Sequence, residues 1–130
     1  MKLENRLKKA VSAKTSYTPS RWSKKNPMYG QCVVVALIVQ GAFGGKIRRG
    51  FLPALWAQKL GYNSHYWNEF SDGAIADLSK SQFPKRFPYK KFVSGKLGRL
   101  SKRDISRTTL LASPNVRARY ELLSLNTRTL

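Results

Sequence analysis

An apolar segment at residues 31–43 constrains the fold of this chain more than any other feature. Its β-branched residues favour a buried strand: Val33, Val34, Val35, Ile38 and Val39. Its length favours a helix, because about a dozen residues pass with only Gly41 as a breaker before Gly44 and Gly45, which stand where a helix stops. We predict a helix, and because it is apolar all round, we expect it to be buried on all sides.

Cys32, the only cysteine of the chain, stands at the start of this segment. The loop sequence Asn26-Pro27-Met28-Tyr29-Gly30 precedes it, so the thiol is expected at the N-terminus of the helix. Backbone N–H groups and the helix dipole at such a terminus stabilise a thiolate over a thiol. Cys32 is therefore a candidate nucleophile, and the alternative for this residue type is a small buried core residue.

The only histidine, His65, lies in the alternating run at residues 64–70. The Asp-Gly dipeptide at 72–73 separates this run from a second alternating run, which predicts a β-hairpin. The second run contains Asp77, whose carboxylate can hydrogen-bond an imidazole on the neighbouring strand and hold its tautomer. We predict a catalytic triad in which Cys32 is the nucleophile, His65 the base and Asp77 the orienting group.

A nucleophilic cysteine also needs hydrogen-bond donors for the oxyanion that forms when it attacks a carbonyl group. The backbone N–H of Cys32 is one donor at the predicted helix N-terminus. Asn26 lies six residues before the cysteine, and its side-chain amide is a candidate for a second donor. Gln31 competes for that role, so the predicted oxyanion hole contains Asn26 or Gln31.

The charge of the chain is strongly positive, since 25 Lys and Arg residues against 6 Asp and Glu residues give a net charge of +19. Such a field attracts polyanions such as nucleic acid or acidic proteins. The candidate binding residues follow the hairpin: Lys85, Arg86, Lys90, Lys91, Arg99, Lys102 and Arg103. The aromatic residues between them either stack on bases or pack inward with the lysines outward.

The length of the chain suits one domain, residues 1–130, with a basic N-terminal arm at 1–21 and a core at 22–125. One cysteine excludes an intrachain disulfide, and one histidine leaves too few ligands for structural zinc, so we expect no metal and no cofactor. The first residues lack the apolar core of a signal peptide, and the apolar run from Cys32 is far shorter than the ~20 residues of a membrane span. We expect a cytoplasmic protein without a membrane partner.

The rest of the chain predicts short elements. Residues 3–11 have the spacing of a basic amphipathic helix on the surface, and residues 46–50 alternate like a short edge strand. Residues 113–125 predict a helix with Ser113 as N-cap and Pro114 in its first turn. The remaining segments are assigned as a loop around Trp22, a helical turn or an irregular excursion at 52–60, and a helix at 101–111.

Several short motifs resemble the YunG family of small bacterial and phage proteins. They are Asn26-Pro27, Gly30-Gln31-Cys32, Phe43-Gly44-Gly45-Lys46-Ile47, His65-Tyr66-Trp67-Asn68, Asp72-Gly73, Asp77-Leu78, Gln82-Phe83, and the residues at 110–117 and 119–123. The resemblance runs from about Trp22 to Leu123. The basic arm and the segment 51–63 depart from it.

The order of these motifs is also similar to the papain-like and transglutaminase-like superfamily, in which the cysteine begins a helix and the histidine lies on a following sheet segment. This resemblance implies an α+β papain-like fold with a central buried helix packed on a small antiparallel sheet. It implies the same roles for Cys32, His65 and Asp77, and an amide at the spacing of Asn26 is typical of papain-like oxyanion holes.

The expected function is cysteine-dependent acyl chemistry on the amide bond of a peptide or another amide-bearing substrate. Hydrolysis, deamidation and acyl transfer use the same groups and differ in what attacks second. The alternative is a catalytically inactive basic module that binds nucleic acid or an acidic protein.

Overall fold

The computed structural model describes residues 2–129, so Met1 and Leu130, the limits of the predicted domain, lie outside the described residues. The helices are α1 (Leu3–Ala10), α2 (Cys32–Phe43), α3 (Ala54–Leu60), α4 (Tyr89–Val93), α5 (Arg107–Leu111) and α6 (Pro114–Arg128). The strands are β1 (Lys46–Phe51), β2 (Ser64–Glu69), β3 (Ile75–Ala76) and β4 (Arg99–Leu100). They form one antiparallel sheet in the order β3-β2-β1-β4, which confirms the predicted α+β class.

Helix α2 packs against strands β1 and β2 of the sheet and against α6. Its buried residues are Val33, Val34, Val35, Ala36, Leu37 and Val39. On the sheet side, the Asn68 side chain of β2 donates a 2.9 Å hydrogen bond to the backbone oxygen of Ala36. The helix ends at Gly44, whose φ of 75° is left-handed, so the predicted helix and its glycine stop are confirmed. Burial on both sides of α2 outweighs the strand propensity of its valines.

Strand β2 is buried on both faces, because its alternating residues pack against two different parts of the molecule. Tyr66 and Phe70 pack into the core that contains α2. Trp67 belongs to a second group, the aromatic cluster, together with Phe83, Phe87 and Phe92. Its members lie close together, with the rings of Phe83 and Phe87 stacked at 4.4 Å between centroids. His65 is surrounded by this cluster and is fully buried.

The predicted hairpin is confirmed and is shorter than the sequence pattern indicates. The turn is closed by a 2.9 Å hydrogen bond from the Gly73 N–H to the Phe70 oxygen, and Gly73 has a φ of 84°. Pairing then places Asn68 opposite Ala76. Because β3 ends there, Asp77 follows the strand directly instead of lying within it.

The edge position predicted for residues 46–50 is wrong. Strand β1 lies between β2 and β4, and Gly50 pairs with Leu100 of β4. A side chain at position 50 would meet the aromatic cluster, since its Cβ would lie 2.7 Å from Phe92 and 3.0 Å from Trp67. Glycine at this position therefore allows the cluster to pack directly on the sheet.

Three helix predictions differ in outcome. α6 begins after Ser113 with Pro114 in its first turn, and the Ser113 hydroxyl accepts from the Val116 N–H, as predicted. The helix predicted at 101–111 is shorter in the structure, where only α5 is helical. It begins after Ser106, whose side chain caps the helix and accepts from the Thr109 N–H at 3.1 Å. α1 is a helix as predicted, but Leu7 is fully buried because α1 packs against α6.

Candidate active site

Cys32 is the first residue of α2 and is partly exposed. The N–H groups of a first helical turn have no acceptor within the helix, so they point a positive partial charge toward this end. The preceding Gly30 has a φ of 74° and accepts a 2.8 Å hydrogen bond from the Tyr17 N–H. Cys32 lines a cleft of about 420 Å³, and the thiol is therefore positioned between a helix end and open space.

His65 is fixed beside this cysteine without reaching the surface. Its Nε2 lies 2.5 Å from Asp77 Oδ2, and its ring stacks near Trp67 and meets the edge of Phe83 at 4.7 Å between centroids. Cys32 lies close enough to contribute to the raised pKa of the imidazole. Because Nε2 is bonded to Asp77, Nδ1 is the ring nitrogen that is left for other partners.

The pKa of His65 reflects two opposing effects. Burial lowers it, but the charge of Asp77 and its hydrogen bond, with smaller contributions from Cys32, raise it from 6.5 to about 10. The imidazole is therefore protonated at neutral pH. A positive charge next to a thiol favours the thiolate form of that thiol.

Asp77 is held as an anion by four hydrogen-bond donors. Its side chain is 4% exposed, and besides His65 it accepts from the Tyr89 hydroxyl at 2.5 Å and from the backbone and hydroxyl of Ser79 at 3.2 and 3.1 Å. Burial raises its pKa, but the charge of His65 and these hydrogen bonds outweigh that effect, so the pKa lies below its usual range. The carboxylate thus has one fixed orientation toward the imidazole.

Gln82 is a contact of His65 to which the sequence analysis gives no role. Its Nε2 lies 3.2 Å from His65 Nδ1 and donates to the backbone oxygen of Ser79, also at 3.2 Å. The Ser79 oxygen can only accept, which assigns the amide nitrogen to this side. An unprotonated Nδ1 accepts from Gln82, and when Nδ1 carries a proton the amide keeps its hydrogen bonds to the backbone oxygen and the hydroxyl of Ser79.

The structure does not bring the predicted oxyanion-hole amides into the cleft. Gln31 is fully buried, and its Nε2 donates to the backbone oxygen of Ser12 at 3.0 Å. Asn26 donates from Nδ2 to the backbone oxygen of Gln82 at 3.4 Å. The two amides therefore form hydrogen bonds that connect the loop before Cys32 to other segments of the chain. Gln82 and Tyr62 are two of the residues with side-chain donors that line the cleft together with Cys32.

Comparison with known proteins identifies the family. The model of the family described as YunG protein matches residues 1–129 of the chain. The chain belongs to the YunG family. A relative from Bacillus subtilis (strain 168), described as uncharacterized protein YunG, is 29% identical over 80 residues, which are 62% of this chain and 62% of the relative. The match thus spans less than two thirds of that relative's length, and no solved structure matches.

The described part of this YunG-family chain has neither a cluster of metal ligands nor a membrane-spanning helix. Residues 2–129 contain no group of three or more His, Cys, Asp or Glu side chains placed to hold a metal ion. Over the same residues, every helix is too short or too polar to cross a lipid bilayer.

The basic residues proposed for partner binding are all exposed: Lys85, Arg86, Lys90, Lys91, Arg99, Lys102 and Arg103. The aromatic residues between them point the other way. Phe87 and Phe92 are buried in the aromatic cluster, and Tyr89 donates to Asp77. These rings are therefore unavailable for stacking on bases, and this segment matches the interpretation with aromatic residues inward and lysines outward.

Proposed function

We propose that this YunG-family protein carries out cysteine-dependent acyl chemistry on an amide bond with a papain-like arrangement of Cys32, His65 and Asp77. The observation that supports the proposal most is the buried imidazole, which is bonded to a carboxylate at Nε2 and lies near a helix-terminal thiol that contributes to its raised pKa. Burying a charged pair costs free energy, and such pairs are common where function requires shifted pKa values. We place the reaction in the cytoplasm, where a free thiol stays reduced.

In the first half of the proposed reaction, the Cys32 thiolate attacks the amide carbonyl and a C–S bond forms. The oxyanion is stabilised by the Cys32 N–H at the start of α2. His65 gives its Nδ1 proton to the leaving amine as the C–N bond breaks, which leaves a thioester on the cysteine. A role for Asn26 or Gln31 at this step requires their amides to leave the backbone oxygens that they now bind.

In the second half, water or another acceptor loses a proton to His65 Nδ1 and attacks the thioester. The C–S bond breaks, and the products are the acid or transfer product and the regenerated thiolate. Asp77 holds the Nε2–H throughout and stabilises the imidazolium, as the orienting member of a triad does. Hydrolysis, deamidation and acyl transfer share these steps.

The test uses the fact that the chain has one cysteine. Native protein is incubated with iodoacetamide and its intact mass is measured, wild type beside Cys32→Ala. We expect one adduct on the wild type and none on the variant, because Cys32 lines the cleft. A wild type that becomes labelled only after denaturation contradicts the proposal, because its thiol is then an inert core residue.

A second candidate function rests on the exposed basic residues and the net charge of +19. If this surface binds nucleic acid, the logarithm of the affinity falls linearly with the logarithm of the salt concentration, by about 0.9 for each phosphate neutralised. We expect Lys90→Ala with Lys91→Ala to weaken binding equally across sequences. The matched control is Lys24→Ala with Lys25→Ala, another exposed lysine pair. Equal losses from both pairs, or no binding at low salt, contradict a footprint at 85–103.

A further inference from the structure

The cleft that contains Cys32 is lined by two arginines, Arg49 of β1 and Arg119 of α6, and by no acidic residue. Within residues 2–129, neither arginine has a carboxylate at ion-pair distance. The neighbouring Arg48 differs, because it pairs with Asp104 at 3.3 Å. At ion-pair distance, no carboxylate of the described residues therefore offsets the positive charge of these two arginines.

Arg119 is held in a fixed position in the lining of the cleft by its own hydrogen bonds. The residue is 5% exposed, its Nη1 donates to the backbone oxygen of Thr15 at 3.1 Å, and its Nε donates to Asn115 Oδ1 at 2.9 Å. Its Nη2 is buried and has no hydrogen-bond partner in the part of the chain that the structure describes. An unpaired donor on a buried guanidinium is costly, so Nη2 is a donor that an acceptor on a ligand would satisfy.

Two more unpaired donors belong to residues that line the same cleft. Arg49 donates from Nη2 to the Ser64 hydroxyl, but its Nε is buried without a partner. Tyr62 Oη is also buried without a partner. Burial, and then the charge of Cys32, raise the pKa of Tyr62, so its hydroxyl keeps its proton as a donor. Among residues 2–129, six buried side-chain nitrogen or oxygen atoms have no partner, and three of them belong to residues that line the cleft with Cys32.

We propose that the substrate of Cys32 carries a carboxylate, which Arg49, Arg119 and Tyr62 bind beside the amide that reacts. This inference rests on the proposed function. A carboxylate only accepts hydrogen bonds, which matches three donors without partners, and guanidinium groups suit its planar geometry. A neutral peptide brings no negative charge to the two guanidinium groups. The carboxylate belongs either to a chain terminus or to an acidic side chain.

The test compares iodoacetate with iodoacetamide, which share a leaving group and differ in charge. Their rate constants for Cys32 are measured by intact mass, and the iodoacetate-to-iodoacetamide ratio is compared with that of glutathione. We expect a higher ratio for the protein and a fall of about tenfold in Arg49→Gln, since hydrogen bonds to charged groups are of this strength. Arg49→Lys, which keeps the charge, should retain most of the preference.

Arg48→Gln is the matched control, because Arg48 lies next to Arg49 on β1, outside the cleft, and should leave the ratio unchanged. Arg119→Gln removes hydrogen bonds to the backbone and can fail to fold. Tyr62→Phe removes only one hydroxyl group. It therefore tests the same proposed carboxylate site without the risk of misfolding. We expect it to lower the ratio by a smaller factor than Arg49→Gln.

Protection of Cys32 from iodoacetamide distinguishes the two carboxylate sources. N-acetylglycine presents a terminal carboxylate, N-acetyl-aspartic acid α-methylamide presents a side-chain carboxylate, and N-acetylglycinamide is the neutral control. Stronger protection by either acid supports the proposal and names the source. Equal protection by the neutral amide overturns it.

The labelling experiments distinguish the absence of a carboxylate site from the absence of a reactive Cys32. If iodoacetamide labels native Cys32, but the reagent ratio equals that of glutathione and is unchanged in Arg49→Gln, the carboxylate site is refuted while the nucleophile stands. If neither reagent labels Cys32 before denaturation, both proposals fall.

Discussion

At about pH 6, we expect His65→Gln to react with iodoacetamide at Cys32 at one tenth of the wild-type rate or less. The pKa of His65 is raised to about 10, because the charge and hydrogen bond of Asp77 outweigh the effect of burial, so the wild-type imidazole is protonated at this pH. Its removal deletes a positive charge beside the thiol, which we expect to cost at least ~1.4 kcal/mol of thiolate stabilisation. The measurement is the labelling rate between about pH 5 and 9.

The single variant leaves the Asp77 carboxylate buried without its cation, which is itself destabilising. The double variant His65→Gln with Asp77→Asn removes both charges and is the better control for folding. Circular dichroism first establishes that the variants are folded. If the folded double variant keeps the wild-type rate and pH profile, His65 does not activate Cys32, and the triad hypothesis is wrong.

Local sequence signals predicted the framework of the site well. The glycines after Phe43 and the length of the apolar run identified α2 in spite of its valines. The Asp-Gly turn at 72–73 identified the hairpin that carries His65. Both predictions depend on residues close together in the chain, where turn and stop signals are strong.

Features that depend on distant residues could not be predicted in the same way. The central position of β1 depends on β4, whose two residues carry no strand pattern of their own. Gln82 belongs to one of the short motifs that resemble the YunG family, but only the tertiary structure places its amide at His65. Arg119 was one of many basic residues until burial and an unpaired nitrogen distinguished it from the others.

The oxyanion-hole candidates show the limit of spacing as a guide. Asn26 and Gln31 have suitable amides close before Cys32 in the sequence. In the structure these amides donate to the backbone oxygens of Gln82 and Ser12, and neither Asn26 nor Gln31 lines the cleft. Spacing along a loop does not determine the direction of a side chain.

Asp77→Asn is expected to lower the free energy of unfolding by about 3 kcal/mol at pH 6, because it removes one partner of a buried ion pair. The sign of the pH dependence follows from the two shifts. The raised pKa of His65 gives stabilisation that is fully present below about 6.5 and is lost as the pH rises through about 10. The lowered pKa of Asp77 gives stabilisation that is present above 3.8 and is lost as the pH falls through the folded-state value.

Wild type and Asp77→Asn should therefore differ most between about pH 4 and 6.5, and the difference should narrow toward about pH 10. Urea unfolding of both proteins at several pH values measures this difference in the free energy of unfolding. Asp104→Asn is the matched control, because Asp104 pairs with Lys46 and Arg48 near the surface and such pairs contribute only about 0–1 kcal/mol. A difference that is constant with pH would mean that Asp77 stabilises the fold through Ser79 and Tyr89 rather than through a charged His65.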